Sequence, residues 1–193
     1  MNFFKIDEFD SADGPGIRVG LYVSGCTHKC KGCHSSEYWD FNSGEEFTEN
    51  HIDQLKTALS KDYIEGLSIL GGDPLEIKNI HQVKYILEDC KRYYEMKNGK
   101  PLNVWLWTGS IFENLCVIFG ENWDDLNAVQ YVEDLRYILN NIDVLVDGPF
   151  VEEKKDLNLA FRGSSNQRLI DMKKTLENKK VILLDIKENM RHG

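Results

Sequence analysis

Along this chain the spacing of apolar positions switches back and forth between two residues and a helical turn. Ile17, Val19, Leu21 and Val23 alternate, which predicts a strand over 17–24 that ends at Gly25. Thr48 stands where a helix cap belongs, and Ile52, Leu55 and Leu59 share one face of a helix reaching about Lys61. The short apolar run Leu67–Leu70 halts at Gly71-Gly72-Asp73-Pro74 and reads as a strand followed by a turn. From Glu76 to about Met96, Ile77, Ile80, Val83, Leu87, Cys90 and Tyr94 recur at helical spacing. Lys97-Asn98-Gly99-Lys100-Pro101 breaks that helix.

The unit then repeats. Val104–Trp107 is a predicted strand meeting Thr108-Gly109, and Ser110 is placed to cap a helix leading to Phe119. A further helix is expected from about Asp125 to Leu139, carrying Leu126, Val129, Val132 and Leu135. Val144–Val146 is a strand stopped by Asp147-Gly148-Pro149, residues 151–168 read as a polar loop, and Val181–Leu184 is the last strand candidate. Strands alternating with helices predict an α/β fold with a largely parallel sheet. In such folds the turns after strands gather at one end of the sheet, where sites form. A full eight-unit barrel takes about 250 residues. With 193 residues, the expectation is a partial (β/α) barrel in a single domain over 1–193, with 172–193 a candidate C-terminal extension.

Charge and composition narrow the function. A net charge of -9 argues against general nucleic-acid binding, which needs a basic surface to neutralise phosphates. No apolar run approaches the roughly 18 residues of a membrane span. The opening MNFFKIDEFDSADGPG lacks the basic-then-apolar layout of an export signal, so the expected compartment is the cytoplasm. The five cysteines cannot all pair within the chain, and three of them, Cys26, Cys30 and Cys33, crowd into eight residues. Thiols held together in a reducing compartment point to a metal. Cys90 and Cys116 stand alone in apolar company and read as small buried residues.

On the triplet alone, zinc and iron–sulfur stand level. Three cysteines with His28 or His34 would make a closed zinc set, whereas three cysteines on a cubane cluster leave one iron open to a small molecule. Cys30-Lys31-Gly32-Cys33 also has redox-dithiol spacing, a reading that leaves Cys26 unexplained. The Gly71-Gly72-Asp73-Pro74 turn adds a second feature, since two glycines at a strand end let backbone groups approach a ligand closely. Asp73 alone would read as the cap of the next helix. Trp105 and Trp107 alternate with Val104 and Leu106 and read first as packing residues. Arg162-Gly163-Ser164-Ser165-Asn166-Gln167 is a polar block able to face a ligand or a partner.

Taken together, a CX3CX2C loop after one strand and a Gly-Gly-Asp-Pro turn after a later one resemble the radical S-adenosylmethionine superfamily. Within it the chain is most similar to the activating enzymes of anaerobic (class III) ribonucleoside-triphosphate reductase. The resemblance rests on six blocks in order: Asp13–Arg18, Ser24–Cys33, Gly71–Leu75, Trp105–Gly109, Val144–Phe150 and Arg162–Gln167. It covers about residues 3–171. The aromatic residue that many superfamily members place before the last cluster cysteine is Gly32 here.

The resemblance implies a 4Fe–4S cluster on Cys26, Cys30 and Cys33, with S-adenosylmethionine as cosubstrate on the open iron. It implies cofactor contacts from Gly32, His34, Gly71, Gly72 and Asp73, with Thr108 and Asp147 lining the cavity. The implied activity is formation of a 5′-deoxyadenosyl radical that installs a glycyl radical on the glycine-bearing loop of the reductase's large subunit. A flavodoxin-like protein would supply the electron, and no nucleic acid or membrane would take part. The competing expectations are activation of another glycyl-radical enzyme and a zinc-stabilised interaction module without catalysis.

Overall fold

A computed structural model describes residues 1–118 and 126–186. It is a mixed α/β fold built on one seven-stranded open sheet, in the order β3-β1-β2-β4-β5-β6-β7. The strands are β1 (Asn2–Asp10), β2 (Ile17–Val23), β3 (Glu45–Glu46), β4 (Ile64–Gly71), β5 (Val104–Trp107), β6 (Val144–Asp147) and β7 (Arg168–Asp171). The helices are α1 (Glu49–Leu59), α2 (Ile80–Asn98), α3 (Phe112–Ile118), α4 (Leu126–Asn141) and α5 (Met172–Asn178). Only the centre of the sheet is parallel, with β2, β4, β5 and β6 side by side. Its flanks are antiparallel, through β1 and β3 on one side and β7 on the other, so the expected largely parallel sheet is corrected to a mixed one.

The central strands match the sequence pattern because side chains alternate between two packed faces. On β5 and β6, Val104, Leu106 and Leu145 enter the larger core with the helices, while Trp105, Val144 and Val146 enter a smaller cluster with Leu169. Trp107 and Phe161 pack at the edge of that smaller cluster, on the face away from the helices. Trp105 meets Phe161 edge-on at 5.3 Å between centroids, so its packing role is as expected. Cys90 is fully buried in the larger core.

Several boundaries differ, each for a physical reason. β1 escaped the periodicity because two register shifts, at Phe3/Lys5 and Asp7/Asp10, break the alternation of buried positions. Thr48 does cap α1, in a reciprocal box with His51. α2 begins four residues later than Glu76, since the chain first turns through Asp73–Asn79 and Ile77 stays exposed. Before α3, the N–H of Phe112 is taken by the Asp147 carboxylate at 2.8 Å rather than by Ser110. The expected ends at Phe119 and Asp125 lie outside the described residues. Instead of a strand, 181–184 contributes a single bridge, Leu183 to Ile170. The start of the supposed extension is α5, capped by Asp171 accepting from Lys174 N–H, with Met172 wholly buried. Among the described residues no helix is long and apolar enough to cross a membrane.

Candidate active site

The carboxyl ends of β2, β4, β5 and β6 deliver their turns to one cavity of about 400 Å³. Its wall includes Cys26, Cys30 and Cys33 from the first turn, Gly71 and Gly72 from the second, Thr108 from the third and Gly148 from the fourth. His34 is also in the wall, and Trp107, Phe150 and Phe161 make an apolar side. Three sequence-predicted residues are elsewhere. Gly32 is outside the lining, in a left-handed turn (φ 73°) backed by Glu152. Asp73 faces a smaller neighbouring cavity of about 280 Å³. Asp147 is corrected from cavity wall to interior support, because its buried carboxylate is held by Arg168 and the Phe112 N–H.

The cysteine loop and the Gly-Gly turn are held as one body. Gly72 N–H donates to Val23 O at 2.7 Å and Asp73 N–H to Gly25 O at 2.8 Å. Backbones come so close that a Cβ on Gly72 would lie 2.4 Å from the Gly25 oxygen. Side chains reinforce the contact: Glu76 Oε1 accepts from both N–H and Oγ1 of Thr27 at 2.5 Å. Asn79, 1 % exposed, donates from Nδ2 to Ser24 O and Asp73 O.

Asp73 is a hub within this body and does not cap a helix. One carboxylate oxygen accepts from Leu75 N–H at 2.9 Å. The other accepts from Thr108 Oγ1 at 2.8 Å and Gly109 N–H at 2.9 Å, and His28 Nε2 lies 3.1 Å from it. A buried carboxylate needs such donors, and here they join three turns. Nothing in a Gly-Gly-Asp-Pro string distinguishes that role from capping, and Asn79 carries no signal either.

The thiols tell against a redox dithiol. Burial, then the Asp73 charge, pushes the Cys26 thiol up to about 11, and burial also raises Cys30. A redox dithiol needs a lowered thiol, whereas a metal ligand gains its thiolate from the charge of the ion itself. His28 is engaged by Asp73, and among the described residues no three His, Cys, Asp or Glu side chains are grouped to hold a metal ion. Neither the three-cysteine cluster site nor the closed three-cysteine, one-histidine zinc site is therefore preformed among the described residues. Three thiols around a cavity, with a glycine turn beside them, suit a cluster whose remaining metal faces a ligand.

Residues 12–170 match the model of a 4Fe-4S single cluster domain. The chain is 36% identical over 169 residues to the anaerobic ribonucleoside-triphosphate reductase-activating protein of Enterobacteria phage T4, covering 88% of this chain and 93% of that one. The protein of the same name from Escherichia coli K12 is 38% identical, over 86% of this chain and 96% of its own. That from Vibrio cholerae is 36% identical with the same coverage. The chain belongs to this family of activating proteins. Family membership settles the choice left open by the cysteine triplet in favour of a 4Fe-4S domain and the enzyme reading, as the resemblance implied. Of the wall residues that periodicity did not single out, Ala12 adjoins the first of the ordered blocks and Phe150 ends another, whereas Leu159 lies between two of them.

Proposed function

We propose that this protein uses a 4Fe–4S cluster and S-adenosylmethionine to install a glycyl radical on the large subunit of anaerobic ribonucleoside-triphosphate reductase. The observation that carries this reading is the convergence of three thiols and the Gly71-Gly72 turn on one cavity at the strand ends. When bound, the group supplies one-electron reduction of the sulfonium, giving methionine and a 5′-deoxyadenosyl radical able to take a hydrogen atom from a glycine Cα of the reductase.

Cys26, Cys30 and Cys33 would hold the cluster, each losing its proton on loading. Because the N–H groups of Gly72 and Asp73 are already bonded to the carbonyls of Val23 and Gly25, the turn offers a ligand ammonium its own carbonyl oxygens. His28 and Asp73 keep the cysteine loop in register with that turn, and Thr108 fixes the third strand end to the same hub. Trp107, Phe150 and Phe161 exclude water from one side, which protects a reactive intermediate from quenching.

The open sheet is the wall of a partial barrel, residues 1–193 act as a single unit, and the partner's glycine-bearing loop closes the open side. A flavodoxin-like donor in the cytoplasm supplies the electron. Anaerobic reconstitution with iron and sulfide, then electron paramagnetic resonance after reduction, tests this. The expected result is a reduced-cluster signal that changes on adding S-adenosylmethionine, and a glycyl-radical signal on mixing with the reductase. One tightly bound zinc and no cluster would overturn it.

A further inference from the structure

The two faces of the sheet are covered by different means. Every helix contributes to the larger core, through Leu55, Leu87, Leu115, Leu135 and Met172. The smaller cluster of Trp105, Val144, Val146 and Leu169 receives no helical residue among those described, yet each of the four is at most 4 % exposed. Its cover comes from two sources. Trp107 and Phe161 pack on it from the cavity wall, and Leu184 and Ile186 pack on it from the segment after α5. Trp105 is the link to the wall, its ring centroid 5.8 Å from that of Trp107 and 5.3 Å from that of Phe161.

The match to the 4Fe-4S domain model ends at residue 170, and the sheet continues beyond it. After α5 the chain returns along β7: Asp171 N–H donates to Ile182 O at 2.9 Å, Leu183 is bridged to Ile170, and Leu184 N–H donates to Leu169 O at 2.8 Å. Thr175, buried on α5, fixes the start of this run by accepting from Ile182 N–H at 2.9 Å. The pairing also sets its direction. Arg168 opposes Asp147 at the carboxyl end of β6, so a run that passes Asp171 first and Leu169 later climbs toward the cavity. Alternation puts Leu184 and Ile186 on the face away from the helices and leaves Leu183 exposed.

We propose that residues 181–186 are a strap that positions the apolar wall of the cavity, with Leu184 and Ile186 acting through Trp105 on Trp107 and Phe161. Close-packed side chains transmit displacement, because a void behind one ring lets its neighbours shift. The strap thereby sets the fit of the small molecule in the cavity, which is S-adenosylmethionine under the function proposed above, on which this assignment rests.

The test measures binding of S-adenosylmethionine to the cluster-loaded full chain by anaerobic equilibrium dialysis at matched iron content, beside thermal unfolding of the same samples. Leu184→Ala is expected to weaken binding about 3- to 10-fold, and adding Ile186→Ala to weaken it further. Leu184→Ile keeps the side-chain volume and should stay within about twofold of wild type. So should Leu183→Ala, which alters the exposed side of the same strap. Ile138→Val, wholly buried in the larger core on α4, separates positioning from stability: it should lower the melting temperature and leave binding within about twofold of wild type. A Leu184→Ala protein that only melts earlier, or equal weakening by Leu183→Ala or Ile138→Val, overturns the strap and leaves the function standing. If the alanine variant fails to load its cluster, Leu184→Val decides, with weakening of about two- to threefold expected and none overturning the assignment. A wild-type protein that loads its cluster and binds no S-adenosylmethionine overturns the proposed function, and the assignment with it.

Discussion

The side-chain amide of Asn79 donates to the carbonyl of Ser24 at 3.0 Å across 55 residues of sequence, and to the carbonyl of Asp73 at 2.9 Å. It stands at the cap position of α2, yet its side chain caps nothing there. Asn79→Ala should therefore take this donor from the Ser24 carbonyl, leave the Asp73 carbonyl with only the Glu76 N–H, and cost about 1–3 kcal/mol in urea unfolding. Asn79→Asp separates the two roles, because aspartate caps well and cannot donate. It should be as damaging as alanine; recovery of stability in the aspartate variant would show that capping was the role.

Cys26→Ala, Cys30→Ala and Cys33→Ala should each prevent assembly of a complete cluster, read as iron and acid-labile sulfide per chain. Cys90→Ala is the contrasting case. Its thiol, pushed up to about 12 by burial and then by Asp89, lies in the larger core away from the cavity. That variant should keep its full iron content and lose only about 1 kcal/mol of stability from packing.

Gly72→Ala should separate the two loops that the glycine lets touch. With backbone oxygen 2.4 Å from the added Cβ, no side-chain rotation relieves the contact. The expected outcome is lower thermal stability together with reduced iron retention on gel filtration. Retention of normal iron content at normal melting temperature would show that the loops part without consequence.

Glu113 accepts from Arg168, which holds its carboxyl down to about 2, below the ordinary value of 4.5. A lowered folded-state value means that the pair stabilises the fold above pH 4.5, and that this contribution is lost as pH falls toward 2. Acid unfolding of wild type should thus steepen across that window. Glu113→Gln should flatten the difference, since glutamine has no proton to take up. Identical acid limbs for the two proteins would contradict it.

The central parallel strands were legible because each is buried on both sides or alternates cleanly, as Val19, Leu21 and Val23 do on β2. The cavity's cysteines and glycines were legible because few residue types do their chemistry. β7 was hidden: four residues flanked by Arg168 and Asp171 carry no period, and both end residues serve contacts made only in the fold. Leu183, apolar in sequence, is 57 % exposed because only one bridge holds that segment to the sheet. Asp147 followed a strand, as a cavity residue would, but a partner 21 residues later turned it into a buried anchor. Such pairings depend on which distant residue arrives, and local pattern does not record that.

The bonds between the cysteine loop and the Gly-Gly turn also bear on how the inorganic centre is acquired. Where cysteines sit on a slack segment, metal capture must order that segment, and affinity falls by the conformational entropy lost. Here Val23, Gly25, Thr27 and His28 are tied to Gly72, Asp73 and Glu76 by the polypeptide's own hydrogen bonds. The ordering of these backbones accompanies folding of the sheet, so loading a cluster has only the cysteine side chains left to gather, and removing it should leave the amides of Asp73 and Gly72 as slow to exchange with heavy water as before.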